Sequence, residues 1–138
     1  MALFFGNASG VTAYVSLVWS HANTGCGPFS SFRKEGWWKI DNGQTRNLWN
    51  VDLRTVNPVG AFFAQQFANG QGLTWGDLGV NNEVLISPGT FTQCYDDITN
   101  CTQRAKFGVL AFNTAPNTLI RLLSHAPEEP PWEEFVFD

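Results

Sequence analysis

Charged side chains are scarce in this sequence. Eight Lys and Arg with twelve Asp and Glu make up 14% of its 138 residues, against about 25% in an ordinary soluble domain. The cations are scattered, only Arg33 and Lys34 are adjacent, and the net charge is −4. No cationic stripe can form to meet a phosphate backbone, which argues against nucleic acid as a partner. Disorder is excluded for most of the chain. Six Trp, twelve Phe and 43% hydrophobic residues are the reverse of the charged, aromatic-poor composition that stays unfolded. Apolar runs are short, and none approaches the ~20 residues of a membrane-spanning helix. Met1-Ala2-Leu3-Phe4-Phe5-Gly6-Asn7 has no basic start, long apolar stretch or small-residue cleavage site, so no signal peptide is expected.

Catalytic groups are equally sparse. The two histidines, His21 and His125, fall in polar segments outside any recognised motif. There is no Gly-rich phosphate loop, Gly-x-Ser-x-Gly elbow or His-Glu-x-x-His. Asp96-Asp97 with Asn100 offers hard oxygen ligands without the spacing of a calcium loop, and reads as turn capping. We expect no cofactor, no metal and no catalytic residue.

Runs of Ala, Leu, Glu and Lys are nearly absent, and Gly, Asn and Thr interrupt the chain every eight to twelve residues. That spacing predicts an all-β domain, an antiparallel β-sandwich or flattened barrel of about eight to ten short strands. In the segment 11–19, Val11, Ala13, Val15, Leu17 and Trp19 share one face. Segments 35–40 and 44–49 flank Asp41-Asn42-Gly43 and read as a hairpin. Further strands are predicted over 59–68, 73–75, 82–86, 90–93, 107–112 and 118–123. The β domain is taken as 1–123. Residues 124–138, with five acids, no Lys or Arg and three Pro, form an acidic Pro-rich tail. Two readings of that tail stay open. In one, Trp132 and Phe135 tuck onto the domain. In the other, Trp132, Phe135 and Phe137 dock on a partner, with Phe135-Val136-Phe137 adding an edge strand.

Three cysteines are present, an odd number. Cys94 and Cys101 bracket six residues, and either close that loop as a disulfide or remain thiols. Cys26 sits in Thr24-Gly25-Cys26-Gly27-Pro28 and is read as free.

Tryptophan is the abundant feature. Trp37 and Trp38 are consecutive, so a strand must send them to opposite faces. Core anchoring accounts for most indoles. Trp38, and Trp75 with Asp77 after Gly76, are the candidate ligand contacts, because an indole face beside a carboxylate suits a sugar ring.

The order of these motifs resembles one family. Phe4-Phe5-Gly6-Asn7 precedes a β-branched strand, then Arg33-Lys34-Glu35-Gly36-Trp37-Trp38-Lys39-Ile40 and Asp52-Leu53-Arg54 follow. Phe62-Phe63-Ala64-Gln65-Gln66-Phe67-Ala68, Gly72-Leu73-Thr74-Trp75-Gly76-Asp77, Phe91-Thr92-Gln93-Cys94 and Phe107-Gly108 complete it. Over roughly residues 3–123 this resembles the mostly bacterial domain-of-unknown-function family numbered 1036. The chain departs from it at Asn42-Gly43-Gln44, where the family has Pro-Gly and Cys, and at the Phe and Gln residues that replace Tyr after Asp52-Leu53-Arg54. The resemblance implies a small β domain, often secreted or at the cell surface, with no established activity.

Together these features predict a non-catalytic recognition domain for a carbohydrate or another protein. The alternatives are a structural or toxin-like component that forms homo-oligomers through the C-terminal arm, and an enzyme of unrecognised type.

Overall fold

The computed structural model describes residues 3–20, 26, 32–49, 59–67, 72–76, 83–111, 116–124 and 131–137. Among them are twelve strands and no helix. In chain order these are β1 Leu3–Ala8, β2 Ala13–Ser20, β3 Phe32–Ile40, β4 Thr45–Trp49, β5 Val59–Gln65 and β6 Thr74–Trp75. They continue as β7 Glu83–Ile86, β8 Phe91–Cys94, β9 Gln103–Lys106, β10 Gly108–Ala111, β11 Asn117–Leu123 and β12 Trp132–Phe137. The fold is all-β and sandwich-like, and none of its sheets closes into a barrel.

The middle layer runs β10-β5-β2-β3-β8, with β6 also paired to β5. Alternation along β2 and β5 explains why it is buried on both sides. Ala13, Val15, Leu17, Phe62 and Ala64 enter one apolar cluster, while Val18 and Phe63 enter another. A four-stranded sheet, β12-β11-β1-β4, covers the first cluster with Leu3, Phe5, Ile120, Leu122 and Trp132. The β7-β9 pair covers the second with Val84, Ile86 and Ala105. Most neighbouring strands are antiparallel, but β1 and β11 run parallel in register from Leu3↔Thr118 to Ala8↔Leu123.

The Trp pair sits in β3 opposite an irregularity in β2, where Val15 faces Trp38 and Ser16 faces Gly36. Trp37 packs on the second cluster and Trp38 on the first, so the two indoles do take opposite faces. Trp37 Nε1 donates to Ser87 O at 3.0 Å. The Gly36–Trp37 peptide is cis. Gly36 has no room for a side chain, because a Cβ would lie 2.7 Å from the Phe91 ring.

Two expected pairings are corrected. The turn at Asp41-Asn42-Gly43 is present, with Gly43 at φ +85° and Gln44 N bonded to Asp41 O at 2.9 Å. Yet β3 and β4 do not form a hairpin ladder: β3 pairs with β2 and β8, whereas β4 crosses to pair with β1. Leu48 and Trp49 thereby reach the first cluster from the outer layer, where Trp49 meets Trp19 with ring centroids 4.7 Å apart.

The second correction concerns the cysteines. The disulfide joins Cys26 to Cys94, and Cys101 is a free thiol. Strand alternation is the reason. Arg33 pairs with Cys94 and Lys34 with Gln93, so consecutive pairs point to opposite faces of β3 and β8. Cys26 Sγ lies with Arg33 (3.8 Å from Nη1), whereas Cys101 Sγ lies with Gln93 and Lys34. A Cys94–Cys101 bridge would have to cross the sheet.

Candidate functional site

Of the expected ligand contacts, Trp75 is 1% exposed and its Nε1 donates to Leu123 O at 2.8 Å. It is a core anchor and has no face to offer a sugar. Trp38 is half-buried against the same cluster. Asp77 lies outside the described residues. Trp75 and Trp38 thus both pack on the first apolar cluster.

The C-terminal residues are part of the domain. Residues 132–137 form β12, antiparallel to β11 from Asn117↔Phe137 to Leu122↔Trp132. Trp132 is 7% exposed and stands edge-on to Phe62, with centroids 4.8 Å apart. Phe135, Val136 and Phe137 stay exposed at 43–46%. The expected edge strand thus forms within the chain. Alternation puts Trp132, Glu134 and Val136 on one face of β12, and Glu133, Phe135 and Phe137 on the outer one.

Glu134 is the strained member of this strand, because partial burial raises its carboxyl above the ordinary value. A raised folded-state value means that ionisation opposes folding as pH rises past the unfolded carboxylate range. Glu134→Gln should therefore stabilise the protein near neutral pH and have no effect below the carboxylate range. Glu134 is mostly exposed, and water screening keeps the gain to a few tenths of a kcal/mol, at most ~0.5. Thermal melts of both proteins at acid and neutral pH check this; an equal difference at both would contradict it.

An open groove of about 570 Å³ lies over the outer face of the four-stranded sheet. Gly6 forms its floor, since β1 sends Leu3 and Phe5 inward and leaves no side chain outward at position 6. Phe135, Leu119 and Arg121 wall one side, and Asn42, Gly43 and Gln44 the other. Buried Asn7 makes that second wall rigid. Its Nδ2 donates to Val11 O (2.7 Å) and Ile40 O (2.8 Å), and its Oδ1 accepts from Ser9 N (3.0 Å). Asn7 O also accepts from Gly43 N at 2.7 Å, and Asn42 Oδ1 from Gly10 N at 2.9 Å. The two turns are thus tied together. Arg121 reaches from β11 to Glu133 Oε1 on the neighbouring β12 at 3.6 Å, both side chains remaining about half exposed.

The residues lining this groove include an amide-rich wall, one guanidinium and one exposed Phe, and no acid, thiol or imidazole among those described. Such a surface can bind and orient a ligand. A smaller groove of about 320 Å³, beside β8, is lined by Ser87, Thr90, Gln93, Asp97 and Thr99 among others. There the backbone amide and hydroxyl of Thr99 hold the Asp97 carboxylate below its ordinary value. Asp97 Oδ1 accepts from Thr99 N at 3.0 Å, which is turn capping as the sequence suggests. Among the described residues no group of three potential metal ligands occurs.

The outer-face groove was not foreseen from sequence. Gly6, Arg121 and Asn42 are separated by most of the chain, and the parallel β1–β11 pairing that joins them leaves no local signal. Comparison with protein-family models, curated proteins and solved structures finds no match for this chain.

Proposed function

We propose that this chain is a non-catalytic recognition domain that holds a carbohydrate against the outer face of its four-stranded sheet. The observation that carries the reading is the groove over Gly6, where fixed backbone and amide groups, Arg121 and the half-exposed Phe135 ring converge. Sugars need that combination: hydroxyls bond to amides and guanidinium while an apolar C–H face rests on an aromatic ring. Membership of the family that the Gly36-Trp37-Trp38 order resembles belongs to the same proposal, and adds no ligand to it.

A glycan array probed with the wild-type chain, Arg121→Ala and Phe135→Ala tests this reading. A bound sugar should lose at least about tenfold in affinity with either change, equivalent to ~1.4 kcal/mol. No bound sugar, or binding indifferent to both changes, refutes it. Self-assembly is supported by a separate observation: among the described residues β12 pairs only with β11, and Val136 is 46% exposed on that edge strand. A second copy could add a strand there. Truncation after Ser124 would also remove Trp132 from the core, so Val136→Lys is the cleaner probe. Sedimentation velocity separates the readings, since only assembly through this edge gives an oligomer that Val136→Lys dissolves.

A further inference from the structure

Lys34, in β3 of the middle layer, is fully buried at 0% exposure. Its Nζ donates to Leu85 O at 2.6 Å and stands 3.6 Å from Cys101 Sγ. Among the described residues no carboxylate lies within ion-pair distance of it, and Asp97 acts on it as a more distant charge. Cys101 is half-buried, so small solutes reach it, and its Sγ lies 3.1 Å from Gln93 Oε1. The other two cysteines are bonded to each other on the opposite face of β3 and β8.

That arrangement has a chemical consequence. A thiol oxidised by peroxide becomes a sulfenic acid, which is normally resolved by a second thiol. Here none is at hand, and among the described residues the other groups near Cys101 Sγ are the carbonyl oxygens of Gln93, Asp97 and Thr99. These are poor nucleophiles toward sulfur, whereas the Lys34 amine is a good one. We propose that hydrogen peroxide converts Cys101 and Lys34 into a covalent sulfur–nitrogen cross-link. In the first step peroxide transfers one oxygen to the thiol, giving the sulfenic acid and one water. Sulfur is oxidised by two electrons and the O–O bond of peroxide is reduced. In the second step Lys34, having released its ammonium proton to solvent, attacks sulfur through its lone pair. The S–N bond forms, the S–O bond breaks, and the departing hydroxyl takes an amine proton and leaves as a second water. The product ties β3 to the loop before β9 and replaces a buried cation by a neutral link.

Titrating the purified, disulfide-containing chain with hydrogen peroxide tests the proposal. Intact mass should fall by two hydrogen atoms, and alkylation of Cys101 should be lost. Proteolysis should give a peptide pair joined through Lys34 and Cys101 that dithiothreitol separates. Lys34→Arg, which keeps the cation but presents no amine, should instead accumulate a sulfenic acid that dimedone traps, or its further oxidation products. If that variant does not fold, the wild-type peptide map alone decides. Sulfinic or sulfonic acid on wild-type Cys101 with Lys34 unmodified overturns the proposal, as does a thiol inert to peroxide. A link carrying an inserted oxygen overturns the direct condensation.

Discussion

Replacing Cys94 with serine should lower the unfolding free energy by about 4 kcal/mol, the chain-entropy value for a loop of roughly seventy residues. The bridge spans 68 positions, from Cys26 to the end of β8. Within that span lie β3 to β7, drawn from all three layers. The bond constrains the unfolded chain far more than a short loop would. It also secures β8, which among the described residues is an edge strand paired with β3 alone over Gly36↔Phe91 to Arg33↔Cys94. Urea denaturation checks the prediction. Cys26→Ser, Cys94→Ser and the double variant should fall together, because each breaks the same bond, and their m-values should rise as the unfolded state expands. Cys101→Ser should stay within ~0.5 kcal/mol of wild type, since a change that touches no bridge and little packing has no large mechanism available. A loss at Cys101→Ser equal to that at Cys94→Ser would restore the short-loop pairing and contradict the structure.

The disulfide illustrates where sequence reasoning ends. Spacing left Cys94 and Cys101 open as a pair or as two thiols, because spacing along a chain is blind to which face of a strand a side chain takes. Once β8 pairs with β3, position 94 and position 93 are on opposite sides of the middle sheet, and Cys101 arrives on the side of 93. The same blindness affects the turn at Asp41-Asn42-Gly43. Turn chemistry fixes a reversal of direction, and the reversal is there; whether the returning strand stays in the sheet or crosses to the next one depends on the apolar surface awaiting cover. Leu48 and Trp49 answer that by packing onto the first cluster.

What was legible follows the strength of the alternation. Val11, Ala13, Val15, Leu17 and Trp19 all belong to or pack on the first cluster, as the period-two pattern requires. Opposite placement of Trp37 and Trp38 follows from the same rule. By contrast β9, Gln-Arg-Ala-Lys, buries only Ala105, and so carries no apolar rhythm to announce a strand. In β12 the strand character of Phe135-Val136-Phe137 was legible, but the prolines before it concealed that the strand would begin at Trp132 and pair with β11 of the same chain. The candidate groove was the least legible feature, because no interval in the sequence encodes the contact between the first strand and the eleventh.

Alanine at Phe62 or Phe63 tests the three-layer arrangement most severely. Phe62 is fully buried, standing edge-on to Phe5 (5.3 Å) and Trp132 (4.8 Å). Phe63 is 5% exposed and meets Trp37 at 6.2 Å and Phe107 at 5.8 Å. These neighbours in sequence share no ring contact, because β5 sends them to opposite faces. Each truncation should cost about 3–5 kcal/mol, the usual range for deleting a buried Phe ring. The local readouts should differ. Phe62→Ala should speed amide exchange in β11 and β12, and Phe63→Ala in β7 and β9, because each loosens the outer layer that it supports. If Phe63→Ala cost less than ~1 kcal/mol, the second cluster would not be packed as a core. The two results bear on function as well. Among the described residues Phe62 and Phe63 hold the middle sheet between two apolar clusters, and Trp75 is buried in the first of them. The recognition proposed above rests on the outer face of the four-stranded sheet, where Gly6 leaves a floor open and Phe135 and Arg121 remain within reach of solvent.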